Sequence, residues 1–376
     1  MCFILCLSVK NPVKEKNMTD RECFYASMNY QYRTRHPFWD LFGPWPETLE
    51  RWKKEGYDGI DDFGADKLVQ VQHIFDPFPP FEKKLIFENG HHRIFIDEHG
   101  VMMKELIGKE KSSMPQFLKF PVETIQEFRK FWNERMRSVA SLRIGSNWKQ
   151  KLIEAEQSNC PFFITADRWA GFFGPLRNLV GVEKLCMLFY DDAGFVEEMM
   201  DSFLYHIIET MKQVLEIVHV DIFILWEDMA YHSGPLISPM IVKSMMFPRY
   251  RKLVDFLKTY KKKVSFVALD SDGNVDPLIP IWLDAGIDII YPFEVQAGMD
   301  VVALRKKYGK SLRMWGGFDK RIIAKGKHAI DEETKRLEKL IEEGGYICGM
   351  DHSAPPDISF ENFRYFMKRM KEISKK

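Results

Sequence analysis

From about residue 160 onward, short apolar runs alternate with amphipathic stretches. The runs are PFFITAD (161–167), VDIFILWED (220–228), KVSFVALD (263–270), IDIIYPFE (287–294), LRMWGG (312–317) and YICGMD (346–351). Each is short and apolar on both parities, as a parallel strand covered on both faces should be. Between them apolar residues return at helical spacing over 195–218, 239–260, 297–308, 331–343 and 359–373, with a kink expected at Pro248. Strand followed by helix, repeated, predicts a parallel sheet with helices outside it. Six such units, with one or two strands supplied earlier, point to an α/β fold of the TIM-type (β/α)8 barrel class; a doubly wound open sheet is the alternative.

The first part of the chain reads differently. HPFWDLFGPWPETLERW is irregular and rich in aromatics and prolines, and a helix begins at Pro46 and ends before Gly56. KKLIFENGHHRIFIDEHGVMMKEL predicts a hairpin turning at Asn89-Gly90, with a second turn near His99-Gly100. Pro121 opens a further helix. Residues 1–17 are expected to be a disordered extension, and 18–376 a single barrel domain carrying this irregular extension and hairpin.

Composition narrows the function classes. Lys+Arg and Asp+Glu are equal at 54 each, so no net basic field exists to hold a nucleic-acid backbone or an anionic membrane. No apolar run approaches the roughly 18–20 residues of a membrane span, and the opening MCFILCLS lacks a basic region and a cleavage site for a secretory signal. The six cysteines are scattered without a CxxC pair, which implies no disulfides and a cytoplasmic location. There is no GxGxxG after a strand and no GxxxxGK[ST], so nothing favours a nucleotide.

Barrel active sites lie at the C-terminal ends of strands, and those ends are polar here. They read Asp167-Arg168, Glu227-Asp228, Asp270-Ser271-Asp272-Gly273-Asn274, Glu294, Trp315-Gly316-Gly317 with Asp319, and Asp351-His352. Carboxylates converging at one mouth repel unless a cation or a proton intervenes. Any one of these acids can instead cap the helix that follows; a whole ring of caps is much harder to arrange. Trp169, with Phe172 and Phe173, supplies flat surfaces suited to a planar substrate or to plain packing.

DSDGNVDPLIPIWLDAGIDIIYPFEVQAGMD, RMWGGFDK and GGYICGMDHSAPPDISFENF together resemble the uroporphyrinogen decarboxylase-like superfamily, and PFWDLFGPWPETLERWKKEG resembles the start of its methyltransferase-like branch. The resemblance implies the same barrel and two chemistries. One is cofactor-free decarboxylation of porphyrinogen acetates. The other is methyl transfer to or from a corrinoid held by a partner protein, often with zinc.

The decarboxylases of this superfamily carry an arginine-rich start whose guanidinium groups hold the substrate's carboxylates. Here Arg33 and Arg35 remain, but the glutamine-alanine-glycine-arginine part is absent. The zinc methyltransferases carry His-x-Cys-Gly-Asn and a later Cys before Pro-Pro. On that pattern Asp270 takes the His place, Asp272 the first Cys and His352 the second, with Gly273 and Asn274 matching directly. The resemblance therefore implies a metal set of Asp270, Asp272 and His352, for zinc or another divalent ion, harder than a thiolate set. If no metal binds, Asp270 or Asp272 serves as general acid. A competing zinc spacing, Glu-x14-Glu-x20-His, is matched by Glu183, Glu198 and His219.

The expected catalytic groups are Asp270, Asp272, Glu227 and Glu294. The expected substrate contacts are Asp167, Arg168, Trp169, Asn274, Trp315 and Asp319. The expected function is methyl transfer between a small O- or N-methyl donor and a corrinoid (cobalamin) protein. The alternatives are a decarboxylase of an acidic tetrapyrrole-like substrate and a non-catalytic corrinoid- or tetrapyrrole-binding protein. A homo-oligomer is compatible with all three; neither nucleic acid nor membrane is expected as a partner.

Overall fold

The computed structural model describes residues 18–40, 42–59, 63–107, 114–165 and 168–375. Asp167 and the N-terminal residues 1–17 lie outside the described residues. Thirteen strands follow in chain order: β1 (Val69–Val71), β2 (Lys84–Glu88), β3 (His92–Ile96), β4 (Met102–Leu106), β5 (Gln116–Lys119), β6 (Phe162–Thr165), β7 (Val220–Trp226), β8 (Ala230–Tyr231), β9 (Gly234–Pro235), β10 (Val264–Asp270), β11 (Ile289–Tyr291), β12 (Arg313–Trp315) and β13 (Tyr346–Ile347).

Seven of them form one parallel sheet in the order β1-β6-β7-β10-β11-β12-β13. Both faces are apolar, which is why the runs looked continuous in sequence. Phe163, Ile222, Ile224, Phe266, Ala268 and Ile289 point inward into one cluster, while Phe223, Leu225, Val267 and Leu269 face the outer helices. The sheet curls around the inner cluster, as a barrel does, but is open: β13 does not pair with β1, and an eighth strand is missing among the described residues.

The expected barrel is thus seven-stranded, and HPFWDLFGPW explains the seam. Pro37 and Pro44 lack the N–H that a ladder needs. The segment instead makes single contacts to each side. Asp66 N donates to Phe38 O ahead of β1, and Ala354 exchanges hydrogen bonds with Gly43 and Trp45 beyond β13. Trp39 turns its indole inward, edge-on to Phe163 and Trp315.

The helix Asp20–Met28 closes the N-terminal end of the sheet. Thr19 and Glu22 form a capping box at its start, and Phe24 and Met28 fill the base of the inner cluster. The expected kink at Pro248 appears as a π-helical turn, Val242–Met246, joining Pro239–Ile241 to Phe247–Thr259. The irregular turn includes Ser244, whose carbonyl the Pro248 ring would otherwise strike. No helix among the described residues is long and apolar enough to cross a membrane.

The expected hairpin is part of a four-stranded antiparallel sheet, β2-β3-β4-β5. Asn89 Oδ1 accepts from the backbone N–H of His91 and His92 at the first turn. Asp97 Oδ1 accepts from His99 and Val101 at the second. That second turn sets the His99 ring 5.7 Å from the Trp169 ring, beside the mouth of the parallel sheet.

Candidate functional site

Strand β7 turns Ile222, Ile224 and Trp226 inward, and β10 turns Phe266, Ala268 and Asp270 inward, with Asp270 in register beside Trp226. Continuing that alternation one step beyond β7 selects Asp228, not Glu227. The structure follows the parity: Asp228, Asp270 and Asp272 each bring a carboxylate oxygen within 4.8 Å of the others.

Glu227 goes elsewhere. It is fully buried and accepts from the backbone N–H groups of Phe172 (2.8 Å), Phe173 (2.5 Å) and Gly174 (3.1 Å), and from the Tyr250 hydroxyl (2.7 Å). It therefore satisfies the open N-terminus of the helix Gly174–Val180. Burial still pushes its pKa up to about 7. Gly171 and Gly174 let this loop lie against β7: a Cβ on either would stand 2.2 or 2.4 Å from the Trp226 carbonyl oxygen. Glu227, expected to be catalytic, is thus held by four donors away from the three clustered aspartates.

Asp228 adopts a left-handed backbone, φ +44°, which is costly for any residue but glycine. Its carboxylate accepts from Asp272 N at 3.1 Å, and its carbonyl accepts from Arg177 Nη1 at 2.5 Å. Gly273, at φ +80°, packs so tightly on the β8–β9 hairpin that a Cβ would meet Ala230 O at 2.6 Å. Burial, and after it the Asp272 charge, pushes Asp228 up to about 6. Burial, and after it the charges of Asp228 and Asp272, holds Asp270 well above the ordinary carboxylate range. Like charges this close are relieved by keeping a proton or taking a cation.

Of the expected ligand set of Asp270, Asp272 and His352, the structure brings the two aspartates together with Asp228 rather than with the histidine. His352 Nε2 lies 3.6 Å from Asp272 Oδ2, at the rim and stacked on Phe42, while Asp228 completes the close group. The neighbouring Asp272 carboxylate raises the His352 pKa. Glu294 accepts from Gly273 N at 2.9 Å and stands beside the trio rather than in it.

The competing set does not assemble. Glu198 is gripped by Arg129 through two 2.7 Å bonds, Glu183 is on the outer helix Val182–Asp191, and His219 lies at the base of the sheet, bonded to Tyr25, Ser265 and the Lys262 carbonyl. The three belong to two outer helices and the opposite end of β7, so sequence spacing alone could not bring them together.

A cavity of about 380 Å³ leads to the acids, lined by His73, Asp76, His99, Arg168, Trp169, Trp226 and Asp270. Of the expected substrate contacts, it includes Arg168 and Trp169. Asp167 lies outside the described residues, and the other three are engaged elsewhere. Trp315 is packed inside the sheet against Trp39, Phe163 and Tyr291. Asp319 caps the helix Lys320–Ala324 and pairs with Arg321. Asn274 Oδ1 accepts from Asp276 N in a local turn. Reading the sequence missed His73, Asp76, His99 and Trp226. Trp226 carried the inward parity as its signal; His99 arrives through the packing of a separate sheet and carried none.

Arg33 and Arg35, the remnants of an arginine-rich start, are also spent on structure. Arg33 donates to the Ile341 and Glu342 carbonyls, and Arg35 pairs with Asp20 and Asp66. Both serve the N-terminal end of the sheet, opposite the acids.

Among solved structures, the fold is similar to that of a methyltransferase from Methanosarcina mazei, with a TM-score of 0.60 and 13% identity, covering 94% of this chain and 99% of that one. A B12-independent methionine synthase from Shewanella sp. W3-18-1 also aligns, at 13% identity over 78% of this chain and 73% of that one, with a TM-score of 0.37. No curated protein sequence matches the chain. The uroporphyrinogen decarboxylase (URO-D) family model matches residues 174–373, a range that holds the outer helices, the strand ends of β7 and β10 and all three clustered aspartates. With more than half of its length matched, the chain belongs to the uroporphyrinogen decarboxylase (URO-D) family.

Proposed function

We propose that this chain is an enzyme that moves a methyl group between a small O- or N-methyl donor and a corrinoid carried by a partner protein. The observation that carries the reading is the Asp228–Asp270–Asp272 cluster at the C-terminal mouth of the sheet. A methyl ether or methylamine gives up its methyl group only if the departing oxygen or nitrogen is stabilised by a proton or a cation. Asp270, kept protonated by burial and by its two neighbours, is suited to pass a proton to that atom. The carboxylate left on Asp270 is then repelled by Asp228 and Asp272, which favours its regaining a proton before the next turnover.

The donor chemistry also bears on a metal. The trio offers carboxylate oxygens and no thiolate, which suits a hard divalent ion better than a thiolate-bound zinc. Such an ion, held by Asp228, Asp270 and Asp272, would supply Lewis acidity toward the donor's heteroatom. A polycarboxylate substrate fits poorly. Three carboxylates at the mouth would repel it, and Arg33 and Arg35 are engaged at the other end of the sheet.

The test is metal analysis of purified protein, beside methyl transfer to reduced cobalamin from a panel of methoxy and methylamine donors. Wild type is set against an Asp228→Asn/Asp270→Asn/Asp272→Asn variant. Transfer by the wild type that the variant lacks supports the reading, with metal content deciding between proton and cation. Release of carbon dioxide from a porphyrinogen, with no methyl transfer from any donor, would replace it with the decarboxylase.

A further inference from the structure

Trp226, Glu227 and Asp228, which end β7, all meet the short helix Gly174–Val180. The Trp226 carbonyl lies hard against Gly174. The Glu227 carboxylate accepts from the backbone N–H groups of Phe172, Phe173 and Gly174 at the helix start. Asp228 is met by Arg177, about one turn further on. Arg177 Nη1 donates to the Asp228 carbonyl at 2.5 Å and lies 3.6 Å from Asp228 Oδ2. The guanidinium stands 5.7 Å from the centre of the Trp226 ring. No other side chain donates to Asp228 among the described residues.

That bond matters because Asp228 has two reasons to turn away. Its left-handed backbone, φ +44°, is costly for a residue with a Cβ. Its carboxylate is also crowded against those of Asp270 and Asp272, and like charges so placed push apart. The adjoining residues do not settle the outcome. Glu227 N donates to the Asp270 carbonyl at 2.9 Å, and Met229 N donates to Ser271 Oγ at 3.1 Å. These bonds fix the chain on either side of Asp228 but leave the direction of its own carbonyl open. That direction goes with the φ and ψ of residue 228, so a guanidinium waiting for the carbonyl favours the left-handed form. The Asp272 N–H then holds the carboxylate, at 3.1 Å.

From the Arg177 bond to the Asp228 carbonyl and the strained backbone that it meets, we infer that Arg177 is a positioning residue for the reaction. It selects the conformation that turns the Asp228 carboxylate in beside Asp270 and Asp272. Tying the helix to the sheet does not require it, because Glu227 already does so through three backbone bonds. The consequence for turnover rests on the methyl-transfer reading; the consequence for geometry does not. The cavity wall includes Trp226 and Asp270 but not Arg177, so the effect falls on the chemical step rather than on donor binding.

The experiment is crystallography and steady-state methyl transfer on the full chain as wild type, Arg177→Gln and Arg177→Lys. In Arg177→Gln, residue 228 is expected to leave the left-handed region and its carboxylate to lose the Asp272 N–H. There kcat should fall by about 10²-fold while KM stays within about twofold. Arg177→Lys, whose ammonium stops a bond short of Nη1, should keep part of the rate. An Asp228 still left-handed and still bonded to Asp272 N in Arg177→Gln would overturn the inference. So would a raised KM with kcat unchanged, or a lower melting temperature with both constants unchanged. Should Arg177→Gln not fold, Arg177→Lys decides: wild-type geometry with the full wild-type kcat overturns the inference there too. A wild type that transfers no methyl group from any donor would sink the reaction, and the crystal structures would still decide the positioning.

Discussion

Strand β7 has an aspartate near each end, Asp221 inside it and Asp228 two residues beyond it, and the two are treated in opposite ways. At the base, Asp221 is buried and fully matched. Arg21 Nε lies 2.9 Å away, the Phe162 N–H donates at 2.7 Å and the Tyr25 hydroxyl donates at 2.6 Å. At the mouth, Asp228 is set beside two further aspartates on a strained backbone. The same residue type is thus a fastener at one end and, at the other, one of three crowded acids, with Arg177 Nη1 as a partial counter-charge 3.6 Å from Asp228 Oδ2. The lesson is that an acid buried with cations and donors holds a fold together, whereas acids buried with one another store a demand for a proton, a metal or a substrate.

Three substitutions sharpen that contrast. The largest effect is expected from Asp270→Asn, which should lower methyl transfer by about 10²–10⁴-fold. Its melting temperature should hold, because asparagine keeps the size and the neutral state of the protonated carboxyl; a fall in stability with activity retained would make the mouth structural like the base. Next, Asp221→Ala should cost about 3–5 kcal/mol in denaturant unfolding, since it leaves Arg21 half of a buried pair, yet leave ligand affinity at the mouth unchanged. A loss of affinity there would mean that the two ends are coupled.

The smallest effect is in the pH dependence. Burial raises Asp228 from an ordinary 3.8 to about 6 in the folded chain. A raised value means that the folded state holds this proton more tightly than the unfolded state does. The group's contribution to stability is therefore complete below pH 3.8 and is lost as the pH rises through about 6. Asp228→Asn removes that dependence, so the variant should gain on wild type across this window, by up to about 3 kcal/mol, and the gain should level off above it. Urea unfolding of both proteins at several pH values measures it; a gain that appears only below pH 3.8 would have the sign wrong.

Much of this was legible in the chain. The six apolar runs and the helices between them are in the structure near their expected bounds, because both faces of a parallel strand and one face of each helix must be apolar wherever they sit. The hairpin at Asn89-Gly90 was legible because turn chemistry is local. The site was legible in part. Asp270 and Asp272 could be picked from the residues at a strand end, and strand parity would have preferred Asp228 to Glu227. Where Trp315 and Asp319 would point was not legible, because a strand-end position does not reveal whether a side chain faces the opening, the packed interior or the next helix.

By itself, the sequence determined the strand–helix rhythm, the polar strand ends and the absence of a thiolate metal set, since these depend on residue type and on spacing over a few residues. Only the tertiary structure decided that the sheet stays open along the proline-containing seam at 36–45, that Glu227 serves a helix N-terminus while Asp228 joins the acids, and that His99 reaches the cavity. Each of those outcomes depends on which distant segment arrives to donate a hydrogen bond or fill a volume, and that partner is chosen by packing across the whole sheet rather than by neighbours in the chain.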